Sequence, residues 1–158
     1  MRFAWAFVML CATAGILSAS TRKPLDVAAR ARSAGKIIVA TVTDVEPGRF
    51  DVNPFGDQVI ATRAWLDVEE TLKGSQEQLV AIDVEGGSVG DLVLQVSDMP
   101  TLKPGERAMF FLTPGPGGAH TPNGRGQGIL KLDANGRITD QDLTLGELKA
   151  RVQSALRQ

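Results

Sequence analysis

The sequence predicts a mainly β domain of six or seven short strands, arranged as a small antiparallel barrel or a sandwich, with a short helix before the strands and an amphipathic helix after them. Segments rich in β-branched residues, several with alternating polarity, recur along the chain. Glycine, proline and asparagine clusters separate them at short intervals. The last segment changes to helical spacing, which indicates a helix packed on the sheet.

Residues 1–20 have the composition of a cleavable signal peptide. Arg2 supplies a positive charge, the run from Phe3 to Leu17 is apolar, and residues 18–20 are small. An uncleaved N-terminal membrane anchor is the alternative, although the run is short for a membrane-spanning helix and no charged stop follows it directly. We therefore expect a periplasmic or extracellular protein that has no membrane segment after cleavage.

Composition excludes several kinds of chemistry. Cys11 is the only cysteine and lies in the predicted leader, so the processed chain has no disulfide, no thiolate metal ligand and no cysteine nucleophile. A single histidine, His120, cannot form a multi-histidine zinc site. Basic and acidic side chains are nearly balanced and form no block of one sign, which argues against a nucleic-acid partner. The 138 residues after the leader fit one domain.

The elements follow in order, beginning with a short helix or linker over 21–35 that ends at Gly35. A barrel domain is expected over 36–140. Its predicted strands are 36–45, 59–69, 78–84, 89–96, 107–112, 128–133 and 137–139. Residues 46–57 and the glycine-rich 113–128 are predicted to be loops. Gly86 and Gly87 are expected to form a hairpin turn between 78–84 and 89–96, and Asn135-Gly136 a type I′ turn.

The last element is predicted over 144–157. Thr144 and Glu147 have capping-box spacing, and the apolar positions Leu148, Val152 and Ala155 recur at helical intervals. Because an open sheet of such short strands would expose its edges, we favour a closed barrel of the oligonucleotide/oligosaccharide-binding (OB) type over a sandwich.

From residue 36 to 132 the chain resembles a group of exported bacterial domains of uncharacterised function. The similar stretches are the strand IIVATVTDV (37–45), LDVEETLKG (66–74), VEGGSVG (84–90) and SDMPTLKPGERAMFFL (97–112). These domains are in turn distantly similar to the OB-type barrel of tissue inhibitors of metalloproteinases. The resemblance implies a fold. It implies no functional residue, because those inhibitors depend on an N-terminal cysteine that this processed chain lacks.

Three motifs invite a chemical interpretation. Gly86 to Gly90 matches G-x-S-x-G, which would make Ser88 a nucleophile with His120 as its base, but a strand rather than a helix is predicted to follow. Carboxylates in turns could bind calcium, although they lack EF-hand spacing. The glycines of 124–128 could form an anion nest, but the Walker lysine is absent. No catalytic, cofactor-binding or metal-binding residue is assigned.

The candidate binding surface consists of Trp65, Phe50, Phe55 and Arg125. Trp65 falls on the charged face of its strand, where either a packed element covers it or it anchors a partner. Phe50 and Phe55 lie in a predicted loop that either packs on itself or forms a recognition tip.

We therefore expect an exported, non-catalytic binding module whose loops 46–57 and 113–128 contact another envelope or secreted protein, or a glycan. The alternatives are a protease inhibitor with the same barrel and a serine hydrolase that uses Ser88.

Overall fold

A computed structural model describes residues 26–53 and 55–158 of the chain. The predicted signal peptide and Cys11 lie outside the described residues. The elements are α1 (Val27–Ser33), β1 (Lys36–Val45), β2 (Arg49–Val52), β3 (Gln58–Lys73), β4 (Leu79–Glu85), β5 (Gly87–Val89), β6 (Leu92–Leu94), β7 (Arg107–Pro114), β8 (His120–Pro122), β9 (Ile129–Lys131) and α2 (Leu145–Leu156). Neither α1 nor α2, the two α-helices of the described residues, has the length and hydropathy of a membrane-spanning segment.

Seven strands form one curved sheet that returns on itself. β1 pairs with both β3 and β7, β3 pairs with β4, and β8 joins β4 to β7, while β2 and β9 extend the sheet from β3 and β7. The closure between β4 and β8 consists of a single register pair, Ile82 with His120. The prediction of a mainly β domain with two helices is confirmed, although the sheet is not a clean barrel.

The expectation of an entirely antiparallel sheet is wrong, because β4 and β8 are parallel. The other pairings around the circuit of β1, β3, β4, β8 and β7 are antiparallel. Strand direction must alternate around an antiparallel ring. A ring of five strands therefore has to contain one parallel pair.

The strands separate two apolar cores, which explains why β1 and β7 are buried on both faces. Ile38 and Phe110 point into the barrel, whereas their neighbours Ile37 and Phe111 point towards the helices. All five residues from Ala108 to Leu112 are buried, as expected for a central strand. The barrel core also includes Val42, Ala64, Leu66, Val80, Ile82 and Leu112.

The C-terminal helix forms as predicted. The Thr144 hydroxyl accepts the Glu147 backbone N–H, and the Glu147 carboxylate accepts the Thr144 N–H, so the capping box is complete. Leu148, Val152 and Ala155 are buried in the second core together with residues of α1 and the sheet. This packing holds both helices against one side of the sheet, and neither helix contributes to the barrel core on the other side.

Both predicted loops contain a strand. In 46–57, β2 pairs with the first residues of β3, and the turn between them is held by Asn53, whose side-chain oxygen accepts the N–H groups of Phe55 and Asp57. In 113–128, β8 closes the sheet and 3-10 turns flank it at Pro116–Gly118 and Arg125–Gly128. Short strands of this kind are defined by the strands with which they pair, and local composition does not reveal those partners.

The expected hairpin turn at Gly86 and Gly87 is wrong. Both glycines have positive φ, and they direct the chain away from β4 so that β5 and β6 form a separate two-stranded hairpin. The Gly86 N–H donates to the Ile60 carbonyl, and the Thr62 hydroxyl donates to the Gly86 carbonyl at 2.6 Å. A Cβ on Gly87 would lie 2.1 Å from the Thr62 Oγ1 atom, so this close approach to β3 requires glycine.

The turn at Asn135-Gly136 forms, but it is not type I′. Gly136 has positive φ while Asn135 does not, and a type I′ turn requires both. Asp133 determines this geometry, since its side chain accepts the N–H groups of Asn135 and Arg137. The strand predicted at 128–133 forms as β9 and pairs with β7, whereas the strand predicted at 137–139 reduces to a bridge between Leu132 and Ile138.

Candidate binding site

A cleft of about 650 Å³ opens at the end of the barrel where β1 finishes. Its floor consists of inward-facing residues of β3 and β4, represented by Thr62, Ala64 and Val84. One side is the turn after β1, and the other is the β5–β6 hairpin with the following segment as far as Leu102. The volume lies within the range of about 300–1,000 Å³ that small-ligand sites occupy.

The lining combines apolar surface with a few polar groups. Its apolar members are Val45, Pro47, Ala64, Val84, Val93, Leu94, Val96, Met99, Pro100 and Leu102, and its polar members are Glu46, Thr62, Glu85, Ser88, Gln95, Ser97 and Thr101. An apolar lining favours burial of a hydrophobic group, and scattered polar atoms fix its orientation. We refer to this feature as the end cleft.

Close backbone contacts attach the β5–β6 hairpin to the sheet. A Cβ on Gly48 would lie 2.6 Å from the Ser88 carbonyl oxygen and 2.8 Å from a methyl carbon of Ile60. Gly48 and Gly87 therefore allow the start of β2, the hairpin and β3 to meet at the mouth of the end cleft. Larger residues at either position would separate these walls.

Arg125 braces the outer wall of the end cleft. Its Nε atom donates to Asp98 at 2.6 Å, and its Nη2 atom lies 2.9 Å from a carboxylate oxygen of Glu85, so it links the end of β4 to the 94–102 wall. The hydrogen bond with Asp98 raises the pKa of Arg125, and the same bond lowers the pKa of Asp98. Arg125 also has a φ of 60°, a conformation that costs energy for a residue other than glycine.

A second arginine holds the same turn from the helix side. Arg30 of α1 donates to the Asn123 carbonyl at 2.9 Å and to the Gln127 side chain at 2.8 Å. Burial lowers the pKa of Arg30, and its Nε atom has no hydrogen-bond partner among the described residues. The 123–127 turn is thus fixed between α1 and the wall of the end cleft. Arg30 could not be identified from local sequence patterns, because its partners lie more than 90 residues away.

Trp65 lies on the outer face of β3, opposite Asp44 in β1 and Ala81 in β4. It is half-buried, and its indole N–H donates to Glu46 at 2.7 Å. Glu46 also lines the end cleft, so this hydrogen bond connects the outer face of the sheet to the cleft. Trp65, Phe50 and Phe55 belong to neither of the two described apolar cores, whereas α2 packs in the core that it shares with α1.

A charged cluster lies beside Trp65 on the same face. Asp83 accepts two hydrogen bonds from Arg63 and one from Arg49, all at 2.8–2.9 Å. Burial acts to raise the pKa of Asp83, but the two guanidinium groups outweigh burial and lower it. The cluster therefore ties β2, β3 and β4 together rather than offering a free carboxylate.

Phe50 and Phe55 are exposed at the β2–β3 hairpin. Their exposed fractions are 51% and 86%. Phe50 pairs with Ile60, so it projects from the same face of the sheet as the floor of the end cleft. Val52 is also exposed, which makes this hairpin apolar on its accessible side. The described structure therefore places these aromatic side chains where a partner can reach them.

Ser88 and His120 lie in different surroundings. Ser88 is exposed on β5 and pairs with Val93, whereas His120 belongs to β8 and lies opposite Ile82 of β4. Strand β6 follows Ser88 after a turn, so the strand-to-helix elbow that activates a G-x-S-x-G serine is not formed.

Sequence reasoning missed a polar cluster around Lys36, which is only 4% exposed. The Lys36 ammonium donates to the Ser75 carbonyl at 2.7 Å, to the Ser75 hydroxyl at 3.1 Å and to Glu77 at 2.8 Å. Hydrogen bonds from Lys36 and Ser75 lower the pKa of Glu77. An ammonium that donates all three N–H groups has no lone pair with which to deprotonate Ser75, so this arrangement is structural. The sequence feature that could have indicated this cluster is a lysine placed directly before the apolar residues of a buried strand.

The His120 environment predicts a pH-dependent stability. Burial, and then the positive charge of Lys36, lower the pKa of His120 below 6.5, with Glu77 opposing them. The unfolded chain therefore binds a proton more readily than the folded one, so stability is lost as pH falls below 6.5 towards the folded pKa. We expect the urea midpoint to decrease between pH 7.5 and 5.5.

His120→Gln is expected to remove this slope, whatever its effect on absolute stability. Because the chain has one histidine, its ring signals in NMR report the folded pKa directly. An unchanged slope in the variant, or a ring pKa above 6.5, would contradict the assignment. The carboxylates with lowered pKa titrate below this window, so they do not obscure it.

Across the described ranges, no group of three or more histidine, cysteine, aspartate or glutamate residues has the geometry to hold a metal ion. Comparison with protein-family models and with curated proteins gives no match. The assignment of function therefore depends on the geometry of the end cleft and its surroundings.

Proposed function

We propose that this protein is an exported, non-catalytic binding module whose ligand occupies the end cleft. The observation that carries the proposal is a concave, mostly apolar site of about 650 Å³ with polar groups at its rim. Export is proposed from the composition of residues 1–20. Mass spectrometry of protein recovered from the cell envelope tests it, since a cleaved chain should have the mass of a polypeptide that begins near Thr21.

The two segments expected to contact a partner have different roles in this proposal. The first, 46–57, contributes Glu46, Pro47 and Gly48 to the lining and presents Phe50 and Phe55 beside it. The second, 113–128, contributes Arg125, which holds the wall through Asp98 and Glu85. Arg125 does not line the end cleft. Its proposed role is to hold the wall of the cleft in place.

Rigid support of the cleft favours binding over a purely structural role. A site whose walls are held before the ligand arrives loses less conformational entropy on binding. Arg125 keeps a strained backbone conformation to make its two ion pairs, and such strain persists only where surrounding contacts over-determine it.

A fragment screen by amide NMR on the processed chain tests the proposal. We expect fragments with an apolar ring and one polar group to shift the amides of 86–88 and 93–102. Ser88→Trp places a large side chain at the mouth from an exposed position, and it is expected to weaken those fragments at least tenfold. Ser154→Trp, from an exposed position on α2 outside the end cleft, is the matched control and should leave them bound.

Hits scattered over the surface, or hits unaffected by Ser88→Trp, would contradict the proposed site. The protease-inhibitor and serine-hydrolase alternatives stay predictions, because no distance or contact among the described residues supports either of them. Unchanged activity of metallo- and serine proteases at stoichiometric excess of the protein would remove the first. Absence of labelling by a fluorophosphonate probe would remove the second.

A further inference from the structure

We propose that the partner of the end cleft is an extended, cationic polypeptide segment that pairs with the free edge of β6 and places alternate apolar side chains in the cleft. This inference rests on the proposed function, because it names the partner class of the same site. Three features carry it: the charge around the cleft, the edge of β6 and the apolar surface beside that edge.

Charge at this end of the molecule is strongly one-sided. Segments 46–63 and 83–102, which surround the end cleft, contain seven acidic residues, two arginines and no lysine, while the whole chain has a formal charge of only −1. Arginines partly neutralise Asp83, Glu85 and Asp98. Asp51 also lies 3.5 Å from Arg49. The remaining carboxylates, Glu46, Asp57 and Asp91, leave a negative rim that attracts a cationic partner and repels an acidic one.

Strand β6 presents an edge that can accept another strand. Its described pairing is with β5 alone, so its other side carries backbone groups available for hydrogen bonding. Natural edge strands are usually protected by lysine or proline. Residues 91–96 contain neither, and Leu92 and Val93 are 59% and 75% exposed. β6 is only three residues long, but an apolar edge without lysine or proline can receive an extended peptide by β-augmentation over that length.

The edge and the cleft are contiguous. Val93 lines the end cleft, and the backbone of Leu94 approaches Gly86 at its rim. Side chains of a paired strand alternate between its two faces, so every second residue of a bound segment would face the cleft. The residues between them would face outward, where lysine or arginine can meet the acidic rim.

The same features argue against a second copy of this chain as the occupant. Two copies joined through β6 would bring two negative rims together, which costs energy. A basic segment avoids that repulsion. Homodimerisation through this edge is therefore the principal competing outcome of the test.

The experiment uses the processed chain and three seven-residue peptides with a fluorophore at the N-terminus. One peptide alternates lysine and valine, one alternates glutamate and valine, and one alternates lysine and glycine. Fluorescence anisotropy gives the affinities, and amide NMR locates the bound peptide. We expect the lysine–valine peptide to bind at least tenfold more tightly than either other peptide, more weakly as salt rises, and with shifts centred on 92–96.

Two further lysine–valine peptides test strand addition. One is N-methylated on the valines and the other on the internal lysines. Alternate residues of an extended strand direct their N–H groups to opposite edges, so only one peptide loses the donors that face β6. We expect one to bind at least tenfold more weakly and the other to bind within about threefold of the parent peptide.

Val93→Lys introduces a protecting charge on the edge at an exposed position, and it should weaken the lysine–valine peptide at least tenfold. Leu79→Lys makes a similar apolar-to-lysine change at a 52% exposed position outside the cleft, and should change affinity less than twofold. Circular dichroism and urea unfolding verify that both variants stay folded. An equal loss of peptide affinity in both variants would mean that any added positive charge weakens binding, and it would contradict a site at β6.

Each failure has a separate meaning. If the glutamate–valine peptide binds equally well, or both N-methylated peptides bind equally, the proposed partner class is wrong. If fragments occupy the end cleft while the lysine–valine peptide does not bind at 1 mM peptide, the binding function stands and the cationic partner is excluded. If sedimentation reveals a dimer that Val93→Lys dissociates, β6 pairs with a second copy instead.

Discussion

Replacement of Phe110 by alanine is expected to lower the free energy of unfolding by about 3–5 kcal/mol, the cost typical of removing a buried aromatic side chain. Phe110 is fully buried at the centre of the barrel core, on a strand that pairs with β1, β8 and β9. The cost combines lost burial with a cavity that neighbouring strands cannot fill, because their hydrogen bonds fix their positions. Urea unfolding followed by circular dichroism measures it.

Phe55→Ala is the matched control, since Phe55 is 86% exposed. We expect it to change stability by no more than about 0.5 kcal/mol, as surface substitutions generally do. Phe111→Ala should resemble Phe110→Ala, because Phe111 is fully buried in the core beneath the helices. Similar small effects for Phe110→Ala and Phe55→Ala would refute the division of the sheet into two packed cores.

Replacement of Gly126 by alanine is expected to destabilise the fold by about 1–3 kcal/mol and to loosen the wall of the end cleft, since overpacking a close contact forces backbone shifts. A Cβ at this position would lie 1.9 Å from the Asp98 carbonyl oxygen and 2.8 Å from Pro100. Both neighbours belong to the wall that Arg125 braces. The 94–102 segment would have to move away, and fragment affinity for the cleft should decrease with it.

Gly146→Ala provides the control for this variant. Gly146 lies in the first turn of α2, where a Cβ meets no atom within 4 Å, and helix propensity favours alanine by up to about 1 kcal/mol. We therefore expect unchanged or increased stability and unaltered fragment binding. A Gly126→Ala variant with wild-type stability and cleft affinity would show that the 123–127 turn does not support the wall.

The strands with the clearest local patterns were predictable. β1, β3 and β7 have long runs of β-branched or apolar residues, and α2 has a capping box followed by helical spacing. Their information is local, because side-chain alternation and helix capping depend on residues only a few positions apart. The predicted alternation of β4 is also confirmed, with Val80, Ile82 and Val84 buried.

The short elements were not predictable for the opposite reason. β2, β8 and the β5–β6 hairpin have three or four residues per strand, and each is defined by a partner rather than by its own composition. Gly86 and Gly87 illustrate this: their positive φ was expected, but contact with Thr62 determines the direction in which the chain continues. Turn residues indicate that a chain bends, and tertiary contacts determine what it meets afterwards.

The predicted site residues divide in the same way. Phe50 and Phe55 were identified by their loop position, and the structure leaves both accessible. Trp65 was identified by its position on the charged face of its strand and Arg125 by its place in the glycine-rich loop, while their hydrogen bonds to Glu46 and Asp98 could be found only in three dimensions. The 94–102 wall, which completes the end cleft, has no motif that marks it.

The order of residues along the chain determined the β class, the long strands, the capped C-terminal helix and the absence of thiol chemistry after residue 20, since each depends on composition or on neighbours within a few positions. Only the tertiary structure decided the parallel closure of the sheet, the buried Lys36 ammonium and the end cleft beside an open strand edge. These features arise from contacts between residues far apart in sequence, whose energies depend on distance and burial that no local pattern encodes.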